Sequence, residues 1–291
     1  MPRLRRFLFY VGAFTLFIFC TGPIFLSLLG SIVPERAMFA GEWFREGVNL
    51  DNYRFVLTGE IPREYRDLEG NIFSNDAARQ VPRSMFNSTV VAFSVMILNI
   101  VMGAPAAYGF ARLRFRGKTP SFMVIIFSRL VPSAALAVPF YLVIQELGLL
   151  GTKLALVLVH TVLTIPFTVF ILSVFFRRLP IELEDAALVD GCNRFQVFYK
   201  VVLRMSGASI FATGLFAFML SYSEFLFAGV LSGDVSQQTL SVTLASIVAN
   251  FDFSWGMMHT SIFLTVVPSV ILVVFIWRFV VERVVEGAVR G

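Results

Sequence analysis

Histidine and cysteine are almost missing from this chain of 291 residues, with two of each. Histidines 160 and 259 stand in separate apolar stretches, with no H-E-x-x-H or Cys-His spacing, so each reads as a packed or pore-lining polar residue rather than a metal ligand. Cys20 lies in an apolar run and Cys192 in a polar loop; at different depths they form neither a disulfide nor a metal pair. Charged residues are also scarce, 15% against about 25% in a soluble domain. No clustered His, Asp or Glu at one depth suggests bond chemistry. Gly117-Lys118-Thr119 imitates the end of a phosphate loop, but the glycine required five residues earlier is Arg112, which leaves a basic turn and no ATP site. No aromatic-interleaved basic patch accompanies the net charge of +5, so nucleic acid is not an expected partner. No polar stretch is long enough for a soluble domain of ordinary size, and no strong internal repeat is present, which weakens a reading built on inverted repeats.

What the chain does have is apolar surface: 57% hydrophobic residues, 33 of them Phe, and a mean hydropathy of +0.79. That surface exceeds what a fold of this size hides, so lipid is the expected solvent. About 20 apolar residues span the hydrocarbon as a helix, and six stretches qualify: 7–32, 84–111, 121–144, 154–176, 209–231 and 257–281. Lipid cannot satisfy free backbone groups, and the alternation of a barrel is absent, so all six are helices. The basic N-terminus Met1-Pro-Arg-Leu-Arg-Arg resembles a signal sequence, but the following run is too long and lacks a clear cleavage site, so it reads as a retained span.

Most lysines and arginines sort to one side: Arg3, Arg5 and Arg6; Arg112, Arg114, Arg116 and Lys118; Arg177, Arg178, Arg194, Lys200 and Arg204; Arg278, Arg283 and Arg290; the other side carries Lys153 and the Arg residues of segment 34–83. The positive-inside rule puts both termini and the loop 177–205 in the cytoplasm. Segments 33–83, 145–153 and 232–256 then face outward, and in 33–83 acids outnumber bases. That segment's Trp43, Phe44, Tyr53, Phe55 and Tyr65 suffice to pack a small lobe. The expected organisation is a cytoplasmic N-terminus and first span (1–32), an extracytoplasmic segment (33–83), and a core of spans (84–291) that includes the loop.

The loop is the most informative part. Pro180 can start a short helix, since its missing N–H falls where no partner exists. Leu183, Ala186 and Ala187 share one face of it. Asp190-Gly191 ends it, because glycine takes the left-handed cap without a Cβ clash. Asn193 caps a second helix, with Phe195, Phe198, Tyr199 and Val202 as its apolar stripe. Two such helices between two spans form a knob on the membrane surface suited to docking.

Glu184-Asp185-Ala186-Ala187, then Asp190-Gly191, then Phe198 resembles the "EAA" loop of the permease subunits of ABC importers. Further stretches are similar to the carbohydrate-uptake branch of that family: Ala106-Ala107-Tyr108-Gly109-Phe110-Ala111-Arg112 through Lys118, Leu147-Gly148-Leu149-Leu150-Gly151-Thr152, Ser221-Tyr222-Ser223-Glu224-Phe225-Leu226, and the tail Glu286-Gly287-Ala288-Val289-Arg290-Gly291. The likeness covers roughly 84–291. The family usually has Pro where Arg204 stands and often another near Ala208; without them the fifth span is expected to run on unkinked. The resemblance implies an all-α polytopic inner-membrane subunit with six transmembrane helices and a cytoplasmic coupling helix. It implies as partners a dimer of ATPase subunits, a second permease, an extracytoplasmic solute-binding protein, and a sugar or oligosaccharide solute. ATP and Mg belong to the ATPase, with no cofactor or catalytic residue in this chain. Glu184, Asp185, Ala186, Ala187, Asp190, Gly191 and Phe198 are the implied ATPase-coupling residues; the plainer reading of the two acids is a solvated face. A non-sugar solute, or an ion-coupled secondary transporter, are the competing readings.

Residues for the solute path are Arg129, Tyr108, Phe218, Tyr222 and Glu224. A guanidinium within a span costs about 2.5–3.5 kcal/mol, so Arg129 faces protein or water. It either hydrogen-bonds solute or pairs with an intramembrane acid. Glu224 pairs with Arg129, caps a broken helix or touches solute. Pro105, Pro132, Pro139, Pro166 and Pro268 within spans are static kinks or hinges, and Gly214, Gly229 and Ser221 permit close helix approach.

Overall fold

A segment surrounded by lipid closes its own backbone hydrogen bonds only as a helix, and helix dominates this chain. The computed structural model describes residues 2–43, 45, 47–60, 76–249 and 254–289, with side chains for all of these except 2, 3, 76 and 275–289. Phe44 and Tyr65 of the expected outer lobe, and the tail after Val289, lie outside the described residues.

In chain order the helices are α1 (Pro2–Ile32), α2 (Glu35–Ala40), α3 (Asp51–Thr58), α4 (Asp76–Arg79) and α5 (Val81–Arg112). Then come α6 (Lys118–Phe127), α7 (Ser133–Glu146), α8 (Lys153–Arg178) and α9 (Ile181–Val189). Helix α10 (Arg194–Val197) runs through a π-helical turn at Phe198–Val202 into α11 (Leu203–Met205). The chain closes with α12 (Gly207–Tyr222), α13 (Leu226–Leu231), α14 (Leu240–Ala249) and α15 (Trp255–Val289).

Helices α1, α5, α8 and α15 are each long and apolar enough to cross a bilayer unbroken, and two bent pairs bring the number to six if each counts as one span. The third expected span, 121–144, is one of these pairs: α6 and α7 meet at 100°. Pro132 explains the break. The residue before a proline is pushed out of the helical region, and Val131 is extended at φ −68°, ψ 124°. The fifth span departs from expectation twice. The chain turns by 81° between Met205 and Gly207, although no proline stands there. A Ser206-Gly207 pair next to a π-helical turn supplies the bend instead. The run expected over 209–231 is also split, with α12 ending at Tyr222 and α13 starting afresh at Leu226.

The helices fall into two units. The first holds Met1–Arg83 and Thr243–Pro268, the second Ser84–Val242 and Ser269–Gly291, so residues 243–268 cluster with the N-terminal part rather than with the rest of 84–291. In the first unit Gly30 brings α1 against the start of α15: a Cβ on Gly30 would sit 2.5 Å from His259 Cδ2. Glu35 accepts at both oxygens, from Trp255 N at 3.1 Å and from Ser254 Oγ at 2.7 Å. Phe55, Val56, Ala78 and Val81 are buried, and Tyr53 Oη meets Ser31 Oγ at 2.7 Å, while Trp43 and Tyr53 are half-buried.

In the second unit α8 is the central helix, packed by α6, α12 and α13. Thr152 starts it, its Oγ1 accepting from Ala155 N. One apolar cluster joins Val91, Val95, Ile144, Leu156, Phe227 and Leu231; another joins Ala104, Ala107, Tyr108, Leu172, Phe176, Phe198 and Val202. Between them, wholly buried Asn99 donates to Thr164 Oγ1 at 2.7 Å and accepts from Thr168 Oγ1 at 2.9 Å. Pro105 and Pro166 are carried inside continuous helices. Gly214 permits close approach, since its Cβ would lie 2.7 Å from Ile100 Cδ1, whereas Gly229 touches nothing closer than 4.0 Å.

Candidate functional site

The knob between α8 and α12 is built by local chemistry. Pro180 takes the cap position rather than the first helical one, at φ −57°, ψ 124°. Helix α9 ends with Asp190 N bonded to Ala186 O, Gly191 N to Leu188 O and Cys192 N to Ala187 O, which closes its last carbonyls. Gly191 makes this possible at φ +85°. Asn193 and Gln196 then form a reciprocal capping box at 2.9 and 2.8 Å.

The knob's surface is sorted differently from the expected stripes. Phe195 (75% exposed), Tyr199 (63%) and Val189 (88%) face outward, as do Asp185, Ala186 and Asp190, with Ala187 half-buried. Phe198 and Val202 turn inward, so the predicted four-residue stripe is two outer and two inner residues. Phe198 and Val202, one π-helical turn apart, share the inner side, while Tyr199, the next residue round the helix, faces out. Glu184 is buried, against the reading of both acids as a solvated face. Its carboxylate accepts from Arg112 Nε at 2.6 Å and from Tyr108 Oη at 3.0 Å. Tyr108, expected in the solute path, is therefore part of the socket that holds the knob, its ring 5.1 Å from that of Phe198. Arg112 likewise is no simple basic turn residue.

The two broken spans shape the second feature. The break in α6–α7 brings Arg129, and the break between α12 and α13 brings Glu224, onto one recess of about 90 Å³. Ser133, His160, Thr164, Leu220 and Ser221 complete its lining, with Leu163 and Phe227. Of the three roles open to Glu224, the cap is the one realised. Oε1 accepts from Phe227 N and Oε2 from Ala228 N, both at 3.0 Å. The orphan N–H groups of a new helix end need such an acceptor. His160 Nδ1 meets Ser221 Oγ at 2.8 Å, and its Nε2 stands 3.2 Å from Glu224 Oε2, too poorly aligned for a hydrogen bond. Arg129 makes no ion pair among the described residues. Its guanidinium lies over the Phe167 ring at 4.8 Å, and its buried Nε has no partner. Phe218 and Tyr222 do not line the recess; they stack on each other, rings 5.5 Å apart, inside the helix packing. The sequence reading missed the Asn99–Thr164–Thr168 network. An asparagine in the middle of an apolar run was the available signal.

Membrane-crossing helices, two of them broken around a polar recess, and an amphipathic knob between α8 and α12 define a membrane-embedded transport subunit. Residues 99–287 match the family described as "Binding-protein-dependent transport system inner membrane component". The chain is 30% identical over 209 residues to the inner membrane ABC transporter permease protein YcjP of Escherichia coli (strain K12), covering 70% of this chain and 73% of that one. It is 32% identical over 207 residues to the sulfoquinovosyl glycerol transport system permease protein SmoH of Agrobacterium fabrum (71% and 73% covered). Over nearly its whole length, 99% against 98%, it is 24% identical to the trehalose/maltose transport system permease protein MalG of Thermococcus litoralis. The fold superposes with a TM-score of 0.72, at 19% identity and over 95% of this chain, on a chain of a bacterial ABC transporter involved in the import of the acidic polysaccharide alginate. The chain belongs to the family of inner-membrane permease components of binding-protein-dependent ABC importers. Such permeases work with ATPase subunits, a partner permease and a binding protein; ATP hydrolysis sits on the separate ATPase, and the permease carries no cofactor.

Proposed function

We propose that this permease passes a sugar or oligosaccharide across the membrane. The solute comes from an extracytoplasmic binding protein, and both chain termini and the loop 177–205 lie in the cytoplasm. The observation that carries the reading is the recess, where Arg129, His160 and Ser221 set donors and acceptors side by side, with Glu224 holding the helix end that frames them. Hydroxyl groups of a sugar both donate and accept. Names of relatives lend support: besides those above, DasC of Streptomyces coelicolor is a diacetylchitobiose uptake permease. The orientation rests on the basic residues that flank α5, α6, α8 and the knob.

In this mechanism the outward-facing Asp185, Ala186, Asp190, Phe195 and Tyr199, with Ala187 and Gly191, meet the ATPase. Closure of the ATPase dimer on ATP moves the knob, and the spans change between two arrangements. ATP shifts that equilibrium only as far as it binds the two states differently. Residues 1–32 and 33–83 extend the transporting core 84–291 on its N-terminal side.

The test is uptake into proteoliposomes that hold this chain, its partner permease, the ATPase and the binding protein. Saccharides are expected to enter only with ATP, and Arg129→Ala is expected to cut uptake at least about tenfold while the complex stays assembled, the scale of one lost charge-assisted hydrogen bond. Unchanged uptake by Arg129→Ala removes that residue from the path. Import of a peptide or phosphate ester with no saccharide import would replace sugar as the solute class.

A further inference from the structure

Docking leaves one buried charge pair of the knob without a purpose. Glu184 sits in the middle of α9, beside residues that face outward, yet its side chain is 3% exposed and that of Arg112 is 11%. Both carboxylate oxygens are taken by the last turns of α5, through Arg112 Nε and Tyr108 Oη. Arg112 Nη2 also donates, at 2.6 Å, to Leu179 O, the residue that ends α8. The ring of Tyr108 presses on Phe198 in the π-helical turn. Three separate parts of the knob, namely its entry from α8, helix α9 and the π-helical turn, thus converge on two side chains of α5. Apolar packing joins Tyr108 to Phe198 and Val202 but does not explain the charge pair. Ile181, Leu183 and Val189 of α9 are exposed, and burying an ion pair costs desolvation that a hydrophobic contact avoids.

We infer that Glu184, Arg112 and Tyr108 form a rigid joint that delivers the knob's displacement into α5, with Arg112 and Tyr108 as positioning residues for coupling. The inference rests on the reading of 177–205 as the ATPase-docking element. Beyond the joint, α5 carries Asn99, bonded to Thr164 and Thr168 on α8, and Thr164 lines the recess. The joint therefore lies at one end of a continuous set of contacts between knob and recess. Contiguity alone does not establish coupling, so the test measures coupling itself.

Glu184→Gln keeps the shape and removes the charge, and Arg112→Lys keeps the charge but not the fork that reaches both Glu184 and Leu179 O. Each is assembled into the full complex in proteoliposomes, and ATP hydrolysed per solute imported is recorded. The joint predicts a normal amount of bound ATPase and a ratio raised about tenfold or more, within the usual span of coupling between sites. A merely structural role lowers hydrolysis and import together at constant ratio, and that result overturns the inference. If a variant fails to assemble, a second measurement decides. Spin labels at Val189 and Leu113, both exposed, are placed with Cys20 and Cys192 replaced by Ser, leaving the joint intact. Their separation is expected to hold within about 2 Å between nucleotide-free and ATP-bound complex, well below the roughly 5.4 Å of one element sliding a helical turn past another. A larger change overturns the inference. Failure of the docking reading looks different: the ATPase then stays bound when Phe195 is replaced by Asp.

Discussion

Glu224→Gln tests whether the carboxylate in the recess builds the site or binds the solute. Helix α13 has only six residues and starts without continuity from α12. Two of its first N–H groups, on Phe227 and Ala228, are each satisfied by a different oxygen of Glu224 at 3.0 Å. A glutamine keeps one acceptor and turns an NH₂ toward the other N–H, so one charge-assisted bond is lost and a donor faces a donor. Losing a hydrogen bond to a charged group is worth about 1.5–3 kcal/mol. The 3.2 Å contact of the carboxylate with His160 Nε2 weakens as well, which acts in the same direction. The expected result is a less stable protein with unchanged solute affinity. For a unit of this size the thermal midpoint in detergent falls by roughly 2–4 °C per kcal/mol, so a loss of about 3–12 °C is expected. Thermal unfolding of the purified complex, with concentration-dependent uptake in proteoliposomes, reads both quantities. A variant with wild-type stability and a tenfold weaker half-saturation for solute would refute the capping argument and make Glu224 a solute contact.

Gly103→Ala places a Cβ 2.5 Å from Thr168 Cγ2, on a buried β-branched side chain already bonded to Asn99. Overpacking of about 1–3 kcal/mol is expected to exceed the helix-propensity gain of about 1 kcal/mol; Thr168→Ser, which removes that methyl, should restore stability in the double variant. At Gly191 a Cβ meets nothing within 4 Å, so Gly191→Ala carries only the left-handed backbone cost, about 1–2 kcal/mol. Its uptake is expected to fall severalfold at most, and abolished uptake would show that the backbone turn itself moves during transport. Phe195→Asp changes an exposed residue, 75% accessible. Stability should stay within about 0.5 kcal/mol while co-purification of the ATPase drops, which a pull-down from detergent extracts would read.

Much of the fold was legible in the sequence because its strongest signals are local. Length and hydropathy placed the membrane helices, since a lipid solvent leaves the backbone few choices. Asn193, Gly191 and the residues between them spelled out the knob's caps, because caps depend on neighbours a few residues away. Breaks were harder. Pro132 was visible as a kink candidate, but the depth of the turn was not, and the bend at Ser206-Gly207 carried no proline to announce it.

Amino-acid order alone thus determined that this chain crosses a membrane as helices, that it carries a short helical knob between two of them, and which family it resembles. Only the tertiary structure decided which side chains of that knob face out. Glu184 and Asp185 are adjacent and both acidic, yet one is sealed against Arg112 and the other exposed. That difference depends on residues about 70 positions away, Tyr108 and Arg112 of α5. The same holds for the recess. Arg129 and Glu224 come from two separate helix breaks and His160 from the middle of α8, and no local periodicity encodes their meeting.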